Sequence, residues 1–290
     1  MKLMRALVLV LFLTNACDAG PALRVGVTLH AYYSWVASIV AGTPVEVVPV
    51  LSAAADSHGY QATPDDIKRM SGLDALVVNG LGHDDFVKPM IAASGNAKLV
   101  TIDPHTGVAL IPYAGGGASN PHTFLSLTNA IQQVFTIEGR LSALDPEHSA
   151  AFKKNADAYV KKLRRLKADA LGKLAAAPIK QVATVHDGYG YLMQELGLEV
   201  VTVIEPTHGV EPSAAELAKT IDAIRAAHVS VVFSELSFSA KLVDVIRKES
   251  GASVYTIDHM STGEYSAAQF ETAMKSNLDT IVRALTATGK

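Results

Sequence analysis

The chain has 290 residues, enough for two lobes of ordinary domain size, each able to bury its own core. Its 25 Lys and Arg nearly balance 28 Asp and Glu, giving a formal charge of -3 with no basic stripe, which excludes a nucleic-acid partner. The one cysteine, Cys17, excludes a disulfide framework.

The chain opens with the basic run Met1-Lys2-Leu3-Met4-Arg5, an apolar stretch over 6–13 and small or polar residues to Gly20. Too short to span a bilayer, this reads as a signal peptide over 1–19 with cleavage after Ala19, and it predicts export to a bacterial periplasm. The alternative is a lipid anchor on Cys17, although Thr14 stands where a lipoprotein signal usually has a large aliphatic residue.

From residue 20 strands and helices alternate. Strands are predicted over 23–29, 45–50, 74–78 and 98–102, and helices over 31–40, 64–70 (capped by Thr63) and 84–93. A further helix is expected at His122, with Asn120 as its cap and Pro121 in its first position. Phe152, Ala156, Tyr159, Leu163, Leu166, Ala170 and Leu174 then form one apolar stripe between lysines and arginines, predicting a long amphipathic helix. After Pro178 the alternation restarts, with strands over 181–185, 199–204, 229–233 and 253–257 and helices over 188–196, 213–227, 239–250 and 267–285. The expected fold is α/β: two βα lobes with mostly parallel sheets, at 20–143 and 177–290, joined by one long backbone helix within 144–176.

In open α/β sheets ligands bind beyond the carboxyl ends of strands. His58 follows the second strand, His122 opens a helix, and His186 and Asp258 end strands, so each lobe offers two donors to the interlobe cleft. Three imidazoles and one carboxylate suit one tetrahedral Zn²⁺ per chain. No short signature such as His-Glu-x-x-His supports them, and Gly115-Gly116-Gly117 lacks the feeding strand and lysine of a phosphate loop.

The segments Asp56-Ser57-His58-Gly59-Tyr60, Ala75-Leu76-Val77-Val78-Asn79-Gly80-Leu81-Gly82, Asn120-Pro121-His122-Thr123-Phe124-Leu125, His186-Asp187-Gly188-Tyr189-Gly190-Tyr191, Phe233-Ser234-Glu235 and Ile257-Asp258 resemble, in order and context, the metal-specific solute-binding proteins of bacterial ABC importers for zinc and manganese. The likeness covers essentially the whole mature chain. It implies a monomeric periplasmic carrier that binds one metal ion through His58, His122, His186 and Asp258 and delivers it to a membrane permease. An imidazole at His186, where manganese-selective members carry a carboxylate, implies zinc, with a manganese carrier as the alternative. Glu235 matches an acidic residue near the family's cleft and is expected beside the metal ligands.

Two departures stand out. Ser57 replaces a usual proline, and the long His- and acid-rich loop of many zinc members is absent. That absence makes loading by a periplasmic zinc chaperone an expectation; His105 and His208 are candidates for weak accessory binding. Four protein ligands close the metal shell, whereas a zinc-dependent hydrolase, the alternative from another class, keeps a position open for water. No Gly-x-Ser-x-Gly elbow occurs, so a carrier and not an enzyme is expected. A cell-adhesion role finds no repeat or surface-anchoring tail to support it.

Overall fold

The computed structural model describes residues 22–205 and 210–286. The expected signal peptide with Cys17, and His208, lie outside the described residues.

The first lobe runs β1 (Arg24–Val27), α1 (His30–Ile39), β2 (Glu46–Pro49), α2 (Pro64–Met70), β3 (Ala75–Val77), α3 (Val87–Ser94) and β4 (Val100–Ile102). Two long helices follow, α4 (Leu127–Leu144) and α5 (Ser149–Leu174). The second lobe runs β5 (Gln181–His186), α6 (Gly190–Glu195), β6 (Glu199–Glu205), α7 (Ala214–Ala226), β7 (Val231–Glu235), α8 (Ala240–Ser250), β8 (Ser253–Ile257) and α9 (Gln269–Thr286). Both sheets are parallel and share one topology, β2-β1-β3-β4 and β6-β5-β7-β8. The expected α/β architecture is present: two parallel-sheet lobes with α5 between them.

Parallel strands are buried on both faces, and side chains alternate between them. Ala75 and Val77 of β3 face a core shared with Val182, Val231 and Phe233 of the other sheet and with α1, α4, α5 and α9. Leu76 and Val78 face the opposite way, against Met70 and Met90. The outer face of the second sheet packs Ala183, Val185 and Val232 against Leu217, Ile221 and Ile246. One hydrophobic core therefore runs through both lobes, and Trp35 of α1 meets Phe270 of α9 edge to face at 5.2 Å.

Helix α5 buries the anticipated stripe from Phe152 to Leu174, with Leu166 half-buried. Its basic residues stay exposed except Lys167, which reaches Glu195 at 3.1 Å. Helix α2 has the expected Thr63 cap, closed into a capping box by Asp66.

The helix expected at His122 starts later. Residues Thr123–Leu125 form a single 3-10 turn, and α4 begins at Leu127 with Ser126 as its cap, the Ser126 hydroxyl accepting the Asn129 N–H at 3.2 Å. Asn120 does not cap a helix, because its side-chain oxygen turns to His122 instead.

Candidate metal centre

Four imidazoles, those of His58, His122, His186 and His259, bring one ring nitrogen each within 4.8 Å of all the others. All four leave the carboxyl ends of strands, where the opened βα turns of both sheets face each other across the cleft. His58 lies in the 3-10 turn after β2, His122 in the long connection after β4, His186 at the last residue of β5 and His259 two residues beyond β8. The cleft is about 420 Å³ and is lined by His58, His83, His122, His186 and Asp187 among others.

Two of the rings are held by the same local device. The Asp56 carboxylate accepts both the backbone N–H of His58 (3.0 Å) and its Nδ1–H (2.7 Å). Asn120 Oδ1 does the same for His122, at 3.0 and 2.7 Å. An acceptor two residues before the histidine thus fixes the turn and holds the proton on Nδ1, so that in the neutral ring Nε2 carries the lone pair. His122 Nε2 then lies 3.0 Å from His58 Nε2 and 3.2 Å from His186 Nε2. An ion bound at about 2.0–2.1 Å holds neighbouring nitrogens about 2.9–3.4 Å apart, depending on whether it is octahedral or tetrahedral. The His58–His122 and His122–His186 spacings fall in that range.

Asp258 is beside this group but not in it. Its Oδ1 accepts the Met260 N–H at 2.7 Å, and its backbone pairs with the Asn277 side chain of α9, N–H to Oδ1 and Nδ2–H to C=O, both at 2.7 Å. Met260 is one of two non-glycine residues with positive φ among the described residues, at 60°. Asp258 therefore shapes the turn after β8, and that turn presents His259 to the other three rings. His259 and His83 are absent from the sequence-predicted set. The signal for both was position: each follows the carboxyl end of a strand, β8 and β3 respectively.

The accessory candidates have other places. His105 repeats the geometry of the site histidines, with Asp103 Oδ1 accepting its N–H (3.0 Å) and lying 2.7 Å from Nδ1. Its Nε2, however, lies 2.9 Å from Thr123 Oγ1, so the ring props the 3-10 turn that follows His122. Glu235 is buried at the end of β7 and Glu205 at the end of β6, directly across the ladder from His186.

The segment Asp187-Gly188-Tyr189-Gly190-Tyr191 joins the lobes at the site. Asp187 Oδ2 accepts the Ala114 N–H at 2.7 Å, and its carbonyl accepts an Asn120 amide N–H at 2.9 Å. The Tyr191 hydroxyl accepts from Ile111 N–H (3.1 Å) and donates to the Asn120 carbonyl (2.8 Å). The loop bearing His122 is thereby fastened to the second lobe. Gly188 has no room for a side chain: a Cβ there would lie 2.6 Å from His259 Nε2 and 2.7 Å from His186 Cδ2.

Burial, reinforced by the neighbouring imidazoles, pushes His122 well below the ordinary histidine pKa, and burial does the same to His83. Neutral rings are what a metal needs, since a ligating imidazole must first lose its proton. Burial raises the Asp187 pKa, only partly opposed by the Ala114 hydrogen bond.

Comparison with known proteins agrees with this geometry. Residues 25–284 match the family described as Zinc-uptake complex component A, periplasmic. Among solved structures, FpvC of Pseudomonas aeruginosa in complex with Ni²⁺ is 47% identical with a TM-score of 0.86, covering 93% of this chain and 98% of that one. FpvC in complex with Mn²⁺ superposes equally well. A crystal structure of ZnuA is 27% identical with a TM-score of 0.79, covering 91% of this chain and 99% of that one. The iron-binding protein YfeA of Yersinia pestis is 26% identical over 277 residues, 93% of this chain and 88% of that protein. The chain belongs to the zinc-uptake component A family, the metal-binding solute-binding proteins of ABC importers, which are carriers and not enzymes.

Proposed function

We propose that this chain captures one divalent transition-metal ion in the cleft between its lobes, through His58, His122, His186 and His259, and releases it to the permease of an ABC importer. The observation that carries this reading is the convergence of the His58, His122 and His186 Nε2 atoms at 3.0 and 3.2 Å. With the Nδ1–H of His58 and of His122 donated to Asp56 and Asn120, the facing Nε2 atoms of the two neutral rings present the lone pairs that a cation would bridge. His259 takes the fourth place that the sequence pattern offered to Asp258, and Asp258 holds the turn that aims it.

The donor set also bears on the choice of cargo. Four imidazoles suit zinc and the later first-row ions, whereas manganese favours oxygen ligands and is bound most weakly of the divalent series by a nitrogen site. Zinc is the ion that closes a four-nitrogen tetrahedral shell, and a manganese carrier is the weaker reading. The nickel and manganese complexes of FpvC support a metal ion over an organic solute as cargo. Export to the periplasm is supported by the leader over 1–19 and by the family; acylation of Cys17 remains the alternative to cleavage after Ala19.

The test is competition among Zn²⁺, Ni²⁺, Fe²⁺ and Mn²⁺ for protein stripped with a chelator, read by elemental analysis after desalting. One equivalent of a late first-row ion or zinc, taken up in preference to manganese, is expected. Retention of manganese over zinc, or of no metal, contradicts the reading.

A further inference from the structure

His83 stands in the cleft wall and has no part in the four-ring cluster. It follows β3 in the turn Gly80-Leu81-Gly82-His83 and is 4% exposed. Its ring centroid lies 4.4 Å from that of His58 and 5.0 Å from that of His122. Its Nδ1 lies 2.9 Å from the Ser57 hydroxyl oxygen, while its buried Nε2 meets no hydrogen-bond partner among the described residues. As in His58 and His122, Nδ1 lies against an oxygen, and His83, whose Nε2 is left over, is one of the residues lining the cleft. A buried imidazole nitrogen without a partner is costly, and a site of this polarity rarely leaves one idle.

We propose that His83 is a fifth imidazole donor, anchored by Ser57, that widens the cargo range of this site from four-coordinate zinc to ions that hold five or six ligands, of the nickel, cobalt and ferrous-iron class. This rests on the carrier reading above. The logic is one of coordination number: zinc is satisfied by four nitrogens, whereas the open-shell ions gain from a further nitrogen. Successive residues of one turn then serve two rings, Asp56 holding His58 and Ser57 holding His83. Ser57 is itself buried, which keeps its hydroxyl from water and available to the ring.

X-ray absorption of the full chain loaded with Ni²⁺ counts the imidazoles directly. At least five are expected in the wild type and one fewer in His83→Gln. Four in the wild type, or an unchanged number in the variant, overturns the proposal. Ser57→Ala keeps the histidine and removes only its anchor; Ni²⁺ affinity should fall about tenfold, the lower end of the range for losing a supporting hydrogen bond, with Zn²⁺ affinity changing by less than about threefold. Equal losses for both ions, or none for Ni²⁺, count against His83 as a donor. A wild-type protein that takes up neither ion instead refutes the carrier reading, which separates the two failures.

Discussion

His58 Nε2 and His122 Nε2 lie 3.0 Å apart, although the two residues are 64 positions apart in the chain and each ring has its Nδ1–H donated elsewhere. With both rings neutral, two lone pairs face each other at that distance, and a cation between them is favoured. The oxygens that create this arrangement, on Asp56 and Asn120, are therefore as much part of the site as the rings. Asp56→Ala and Asn120→Ala should each weaken metal binding by about 10- to 100-fold, since each frees a ring to rotate and to change tautomer. Isothermal titration against a chelator of known affinity measures this; wild-type affinity in both variants would show that the two acceptors do not position the donors.

The turn after β8 separates two residues that are neighbours in sequence. His259→Ala removes a donor and should lower metal affinity by at least about 100-fold, more than the loss of a supporting oxygen. Asp258→Asn keeps an oxygen to accept the Met260 N–H and should leave affinity within about fivefold, because on this account the carboxylate shapes the turn and does not bind the ion. The same chelator competition decides between them, and the reverse order of effects would return the fourth place to Asp258.

Gly188 offers a test that alters no donor. Its backbone runs so close to His186 and His259 that a methyl group must displace both rings. Gly188→Ala should abolish stoichiometric metal retention in a desalted sample while circular dichroism still reports the α/β fold. Full retention would mean that the two rings are not held where a Cβ would reach them.

The fold was legible because its signals are local. Runs such as Val25 to Val27 and Ala75 to Val77 are apolar at every position, as strands covered on both faces require, and the stripe from Phe152 to Leu174 has helical spacing. Three histidines of the cluster could be read from their places, His58 after a strand, His122 at an expected helix start and His186 at a strand end. The fourth imidazole of the cluster was harder to read, because in Ile257-Asp258-His259 the carboxylate comes first after the strand, and the left-handed Met260 just beyond His259 leaves no mark in the residue types. His83 was hidden for a similar reason: its relation to Ser57 spans 26 positions and exists only once β2 and β3 flank β1. Ser57 reads in the sequence only as a departure from a family pattern; in the structure its hydroxyl meets His83.

The buried rings also set a pH dependence. His122 and His83 are held neutral in the fold, with pKa values well below the ordinary one, whereas in the unfolded chain they titrate near about 6.5. As pH falls below that value the unfolded state binds protons that the folded state refuses, so stability is lost progressively until the folded pKa values are reached. The melting temperature of the metal-free protein should therefore drop between pH 7.5 and pH 5.5, and His122→Phe should flatten the slope. A melting temperature that holds or rises over that interval contradicts the burial of these rings as neutral species.

Anomalous diffraction at the absorption edge of the bound metal, from crystals of stripped and refilled protein, reads out whether four imidazoles from the two lobes enclose one ion. A single peak is expected at about 2.0–2.2 Å from one ring nitrogen of each of His58, His122, His186 and His259. A peak elsewhere on the chain, or one that leaves His259 outside bonding distance, would contradict it.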